Sequence, residues 1–297
     1  MNNKKSISLG CMRIDRLSVC EAEKLILSAV EQGITLFDHA DIYGGGKCEL
    51  LFGQVLKRNL SLREKITIQS KCGICSNCYN SSKEHIIAQA QKSIANLQCG
   101  YLDILLIHRP DALVEYDEVN EAFNYLYSKG LVKHFGVSNM NAWQIELYLK
   151  HLDLPIEYNQ LQFSAVHSHM ISQGLFVNMN ESESNAELSS GLIEYCQLRS
   201  IKIQAWSSLM ASWEDGCFID NPKYFALNEK LAELALKYSV SKSAVAIAWI
   251  LRHPANITPI VGTTSVVHLN QIMQSLNFNL TREEWYAVYK AANHRLP

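Results

Sequence analysis

Between Phe37 and Gly46 the chain reads FDHADIYGGG: two carboxylates, a histidine and a tyrosine beside a glycine cluster, directly after the apolar run Ile34-Thr35-Leu36-Phe37. Polar chemistry this dense at the end of a β-like run is unlike a core strand. Two later runs end the same way, with Lys71 closing TIQSK and His108 closing LDILLIH. A tyrosine, with an ordinary pKa of ~10, gives up its proton reluctantly at neutral pH, and a nearby ammonium lowers that value by favouring the phenolate. Lys71 can supply that ammonium, and Asp38 can hold the lysine protonated and fixed. His108 can hydrogen-bond the oxygen that receives the proton. The set suits charge developing on a carbonyl oxygen, provided the fold brings these strand ends together. Each residue alone also fits a plainer role: His108 as a satisfied strand-end histidine, and Asp38 with Lys71 as an isolated buried ion pair. His39 carries less signal, Asp41 reads as a loop-turn residue, and Arg109 with Asp111 reads as a solvated rim.

The elements that must position these residues alternate throughout the chain. Strands are expected at 6–12, 34–37, 66–70, 102–107, 132–137, 156–163, 201–206 and 257–261. Between them, apolar residues recur at helical spacing. Ala22, Leu25, Ile26, Ala29 and Val30 share one face, and Ile87, Ala90, Ile94 and Leu97 share another behind a capping box of Ser81 and Glu84. Further helices are expected at about 48–57, 119–127, 142–151, 190–198, 224–238 and 243–251, with two more from Ser265 and Thr281. Near-continuous apolar strands joined by helical crossovers specify a parallel sheet covered on both faces. Eight such units in one chain of 297 residues predict a single (β/α)8 TIM barrel with extra C-terminal helices. Active sites of that fold gather at the carboxyl ends of the strands, where Tyr43, Lys71 and His108 then meet. A doubly wound open sheet would announce itself with GxGxxG, but no glycine follows Gly10 until Gly33. The polar, acidic stretch NMNESESNAELSS, residues 178–190, breaks the rhythm and reads as a mobile insert at the mouth.

Hydrophobic residues at 48% and charged residues at 19% are ordinary for a protein with a full core, and a net charge of -2 gives no nucleic-acid footprint. No apolar run approaches the ~20 residues that span a bilayer, and the opening MNNKKSISLGCMRIDR lacks an apolar leader core. A cytoplasmic protein without a membrane partner, a monomer or small homo-oligomer, is expected. The nine cysteines are scattered and odd in number, which predicts reduced thiols and no structural disulfide. Cys72, Cys75 and Cys78 echo part of a metal motif, but no fourth cysteine follows nearby, so no metal is expected.

With these residues in place, the chain resembles the aldo-keto reductases over almost its full length, and a bacterial subgroup of them in DHADIYGG and HRPD. Asp38 and Tyr43-Gly44 match the family's aspartate followed five residues on by tyrosine-glycine. Lys71 and His108 match its strand-end lysine and histidine. GVSN at 136–139, Asn159-Gln160 and the AWSSL run at 205–209 match later motifs. The resemblance implies reduction of small aldehydes or ketones by hydride transfer from a nicotinamide cofactor, NADPH with NADH possible. It makes Tyr43 the general acid, with Asp38, Lys71 and His108 tuning and orienting it. It puts Ser138, Asn139 and Gln160 on the nicotinamide amide and Trp206 on its ring, with Met12, Ser207 and Leu209 as further cofactor contacts. The alternative within the same fold is a cofactor-binding redox sensor or regulatory subunit with little turnover. No hairpin precedes the first strand, as it does in many members, and no long substrate loop follows the last helix, so an open pocket with broad carbonyl tolerance is expected.

The resemblance also places the adenosine phosphate at Gly262, Thr263, Thr264 and Ser265, where a helix amino terminus offers free N–H groups and the side chains add hydroxyls. Many relatives carry a lysine or arginine in this run and an arginine where this chain has His268. A histidine is mostly neutral above neutral pH. The expectation is an NADPH preference narrower than usual, growing as pH falls.

Overall fold

Apolar strands that continue unbroken must be covered on both faces, and the computed structural model, which describes residues 5–176 and 191–297, resolves this with a barrel. Its strands are β1 (Ser8–Gly10), β2 (Leu36–Asp38), β3 (Thr67–Cys72), β4 (Leu102–Ile107), β5 (Val132–Ser138), β6 (Ile156–Gln162), β7 (Lys202–Trp206) and β8 (Thr258–Val261). The closed order is β1-β8-β7-β6-β5-β4-β3-β2, so the fold is a (β/α)8 barrel. The stretch 178–190 lies outside the described residues.

Helices alternate with the strands as α1 (Val19–Glu31), α2 (Lys47–Arg58), α3 (Lys83–Leu97), α4 (Tyr116–Ser128), α5 (Ala142–His151), α6 (His169–Leu175), α7 (Leu192–Leu198), α8 (Phe225–Tyr238) and α9 (Lys242–Leu251). Two more, α10 (Val266–Met273) and α11 (Arg282–Ala291), follow β8. Among the described residues no single helix is long and apolar enough to cross a membrane. The start of α3 differs from the sequence reading. Ser82, not Ser81, caps it by accepting from His85 N, and the buried face is Ile86, Ala90, Ser93 and Leu97 rather than one containing Ile87 and Ile94. The reason is a contact distant in sequence: Ser81 N already donates to the Asp111 carboxylate at 2.9 Å, which holds Ser81 in the preceding loop.

Contacts divide the chain into two compact units. One comprises Ser8–Gln160 with Gly262–Val266; the other comprises the described parts of 1–7, 161–261 and 267–297. In the first, register carries the strand ends to one level: Asp38 lies opposite Gln69, Lys71 opposite Leu106 and Ser138 opposite Gln160. Gly136 permits this, because a Cβ there would fall 2.7 Å from both Leu106 Cδ2 and the Tyr158 carbonyl oxygen. In the second unit α9 is buried from Ala244 to Leu251, as its apolar composition requires. Trp249 stacks on Trp285 at 4.8 Å between centroids, and each indole N–H donates to the other residue's carbonyl at 3.0 Å. A short hairpin, Met210–Ser212 with Gly216–Cys217, follows β7 and adds to the elements expected.

Candidate active site

The site in the first unit is organised by a turn. After β2 the chain enters a tight 3₁₀ segment, Tyr43–Gly46, in which Gly44, Gly45 and Gly46 have φ of 57°, 64° and 91°. Side chains rarely adopt such values, and a Cβ on Gly44 would also lie 2.6 Å from Asp15 Oδ2. The glycines therefore let the chain reverse at once and return Tyr43 over the strand ends. Its hydroxyl lies 3.1 Å from Lys71 Nζ, which also donates to Asp38 at 2.8 Å and to the His39 carbonyl at 2.7 Å. Asp38 further accepts from Gln69 Nε2 at 2.6 Å and Gln160 Nε2 at 2.9 Å. The His108 ring stands edge-on to Tyr43, 6.1 Å between centroids, and its Nδ1 has no hydrogen-bond partner among the described residues. Asp38, Tyr43, Lys71 and His108 are thus brought together.

Burial alone would lower the Lys71 pKa, but the charges of Asp38 and Tyr43 and their hydrogen bonds outweigh it and hold the pKa above the ordinary value. Tyr43 departs from the expectation. Lys71 does act to lower its pKa, but burial acts more strongly and the net direction is up, so Tyr43 stays protonated at neutral pH. Burial, reinforced by Lys71 and Arg109, pushes His108 down to about 2. It is a neutral imidazole, able to donate from one nitrogen and accept at the other. His39, fully buried against Phe52, is likewise neutral, its pKa pushed by burial to about 3.

Asp41 lies in a turn, as expected, but is not exposed there. It is buried, its Oδ1 has no partner, and burial, assisted by the buried Glu49, raises its pKa to about 7. The folded state therefore keeps a proton that an unfolded aspartate, with pKa ~3.9, has already released, and stability falls as pH rises through that window. Asp41→Asn should stabilise the protein at pH 8 by on the order of 2–4 kcal/mol and leave it little changed near pH 4. Parallel melts of mutant and wild type at both pH values check this; equal stability at pH 8 contradicts it. Asp111, read from the sequence as solvated rim, instead accepts from Ser81 N and Leu113 N and ties the end of β4 to the loop before α3.

Ser138, Asn139 and Gln160 form one cluster. Ser138 Oγ donates to the Gln160 carbonyl at 2.9 Å, and Asn139 Nδ2 donates to Ser138 Oγ at 2.8 Å from a residue with φ of 58°. Met12 lies in the loop after β1, its carbonyl accepting from the Cys48 thiol. In the Gly262–Ser265 run, the Thr263 hydroxyl is bonded within the loop, donating to the Ser265 carbonyl and accepting from Ser265 N. The residues adjacent in sequence offer no cation here, yet Arg13 brings one: its Nη2 donates to the Gly262 carbonyl at 3.1 Å. These residues are 249 positions apart in the chain, and the fold places them together. A guanidinium, hydroxyls and a helix start form a donor set that suits a phosphate. In the second unit Trp206 ends β7 and stacks on Trp213 of the short hairpin, 6.4 Å between centroids. Ser207 has φ of 55° and its hydroxyl points to Met210 Sδ, Leu209 accepts from Phe218 N, and His268 is exposed on α10.

Comparison with known proteins identifies the family of the chain. The model of the Aldo/keto reductase family matches residues 6–293. The chain belongs to the aldo/keto reductase family. It is 34% identical over 286 residues to Oxidoreductase YdhF of Escherichia coli, covering 93% of this chain and 89% of that one. It is 34% identical to Uncharacterized oxidoreductase YcsN of Bacillus subtilis, covering 95% and 92%. A 6-dehydroglucose reductase of Agrobacterium fabrum is 30% identical, covering 93% and 89%. Among solved structures, an aldo-keto reductase from Klebsiella pneumoniae in complex with NADPH superposes with a TM-score of 0.77 at 20% identity, covering 98% and 92%. The fold and its oxidoreductase class follow from the family.

Among the described residues no three His, Cys, Asp or Glu side chains converge as a metal-binding group. Purified protein should be colourless and lack stoichiometric zinc or iron, and Cys75→Ser combined with Cys78→Ser should keep its turnover. Elemental analysis finding one metal per chain would overturn both statements.

Proposed function

We propose that the protein reduces small aldehydes or ketones to alcohols, with Tyr43 giving the proton to the carbonyl oxygen. The observation that carries this reading is the Tyr43 hydroxyl held 3.1 Å from the buried Lys71 ammonium. Lys71 stabilises the phenolate left after proton transfer, and Asp38 keeps Lys71 charged and in place. His108, neutral and beside Tyr43, hydrogen-bonds the same substrate oxygen and orients it. A reduced nicotinamide supplies the hydride when bound. Ser138, Asn139 and Gln160 hold its amide, Trp206 stacks on its ring, and Met12, Ser207 and Leu209 complete the contact. Gly262, Thr263, Thr264 and Ser265, with Arg13, hold the adenosine phosphate, with His268 beside them. NADPH is the preferred cofactor, a reading supported by relatives described in complex with NADPH or NADP. Residues 1–297 act in this reading as one cytoplasmic barrel domain, monomeric or a small homo-oligomer, without nucleic-acid or membrane partners.

A steady-state assay with activated aldehydes and α-dicarbonyls tests the reading. Turnover supports it; tight cofactor binding with no turnover of any carbonyl favours a regulatory role instead. Arg13→Met should weaken NADPH binding by about 10-fold or more, the scale of one lost charge-assisted hydrogen bond, while NADH binding changes less. His268→Arg should widen the NADPH margin. Fluorescence titration of both cofactors against both variants decides this: equal losses for NADH and NADPH in Arg13→Met would show that Arg13 does not read the extra phosphate.

A further inference from the structure

The proposed reaction leaves the thiol loop unused, and its geometry is that of a facing dithiol. Beyond Cys72 the chain doubles back: Ile74 and Tyr79 form an antiparallel bridge, and Cys75 N donates to the Cys78 carbonyl at 2.9 Å. In such a turn the two residues flanking Ser76-Asn77 stand opposite one another with side chains on one face. Opposed residues of an antiparallel pair have Cα atoms ~4.5–5.5 Å apart, within the ~4.4–6.8 Å that a disulfide spans. Cys78 is exposed and Cys75 half-buried, whereas Cys72 is fully buried in β3. On the inner side, Cys75 Sγ lies 3.8 Å from Nε2 of His85, in the first turn of α3.

We propose that Cys75 and Cys78 are a redox modification site, closing to a reversible disulfide on exposure to a peroxide, with Cys78 reacting first and His85 serving Cys75 as base. In the first step the Cys78 sulfur attacks the O–O bond of hydrogen peroxide. The sulfur is oxidised to sulfenic acid, and the departing oxygen leaves as water. In the second step the Cys75 sulfur attacks the Cys78 sulfur. The S–S bond forms, the S–O bond breaks, and the Cys75 proton passes through His85 to the leaving hydroxide, giving a second water. Two thiols and one peroxide thus yield one disulfide and two waters. The order follows from exposure: the peroxide meets Cys78, while burial and the neighbouring Cys78 hold the Cys75 thiol protonated until a base takes its proton. Burial keeps His85 neutral and able to accept that proton. Cys72, buried and raised in pKa by that burial, is out of reach of the oxidant.

The reduced full-length protein is treated with one equivalent of hydrogen peroxide, alkylated under acid quench and mapped by mass spectrometry. The expected result is a mass lower by about 2 Da, with a Cys75–Cys78 link in the peptide that carries alkylated Cys72, reversed by dithiothreitol. Cys75→Ser should stop at a dimedone-reactive sulfenic acid on Cys78. His85→Gln should slow disulfide closure several-fold and shift its pH profile, without slowing sulfenate formation. Overoxidation of Cys78 with Cys75 still alkylatable, a link through Cys72, or only intermolecular disulfides would each overturn the proposal. An unchanged closure rate in His85→Gln would overturn the role of the base.

Discussion

Tyr43→Phe should lower the turnover of carbonyl reduction by about 10²- to 10⁴-fold, the usual loss when a positioned general acid is removed. Cofactor affinity and melting temperature should stay close to wild type. The substitution removes one oxygen, and Lys71 keeps Asp38 and the His39 carbonyl as partners, so no buried charge is left alone. The stability change should therefore stay within about 1 kcal/mol, the scale of one hydrogen bond. Because burial holds the Tyr43 pKa above its ordinary value, the acid is protonated throughout the physiological range, and its ionisation should put no descending limb on the reduction rate below pH 9. Wild-type turnover in the mutant would remove Tyr43 from the chemistry. A descending limb below pH 9 that disappears in Tyr43→Phe would show that Lys71 overcomes burial after all.

Much of this arrangement is legible in the residues alone, because the barrel rests on a repeated unit. Each apolar run of strand length followed by a run of helical period carries the same information, so an error of a residue or two at an end leaves the architecture intact. Lys71 illustrates this: read as closing its strand, it lies one residue inside β3, yet still beside Asp38. The serine cap of α3 sits one residue later than the pattern predicts, because capping rules concern only neighbours in sequence, whereas Ser81 is held by Asp111, 30 residues away. The hairpin at 210–217 leaves no sequence signal for a related reason. Its strands are of three and two residues, too short for any alternation to show.

What stayed hidden within the site depends on burial and closure. The type and spacing of Asp41 suggest a turn, and nothing local says that Glu49 will be buried near it. Arg13 sits in an unremarkable loop after β1 and gains meaning only when Gly262 arrives from the other end of the chain. The direction of the Tyr43 pKa is a third case. The sequence supplies the lysine that lowers it, but not the depth of burial that outweighs the lysine.

Lys71→Met should cost both stability and activity, and the two losses can be separated. Lys71 is fully buried and Asp38 nearly so, with the ammonium 2.8 Å from the carboxylate. Deleting the cation leaves Asp38 with only the Gln69 and Gln160 amides, and an uncompensated buried charge of this kind typically costs about 3–5 kcal/mol. Against a domain stability of ~5–15 kcal/mol that loss should lower the melting temperature clearly. The sign with pH follows from the raised pKa of Lys71. The contribution of the pair is fully present below the unfolded lysine value of ~10.4 and is lost as pH rises through the higher folded value, so the destabilisation should be the same at pH 7 and pH 9. Adding Asp38→Asn removes the stranded charge and should restore most of the melting temperature. It should not restore reduction, because Tyr43 still lacks the ammonium that stabilises its phenolate. Melts and single-turnover rates on the two single variants and the double variant test both halves. A Lys71→Met protein that melts with wild type would mean the pair adds nothing to stability. Recovery of turnover in the double variant would mean that Lys71 serves only to neutralise Asp38, and that Tyr43 acts without it.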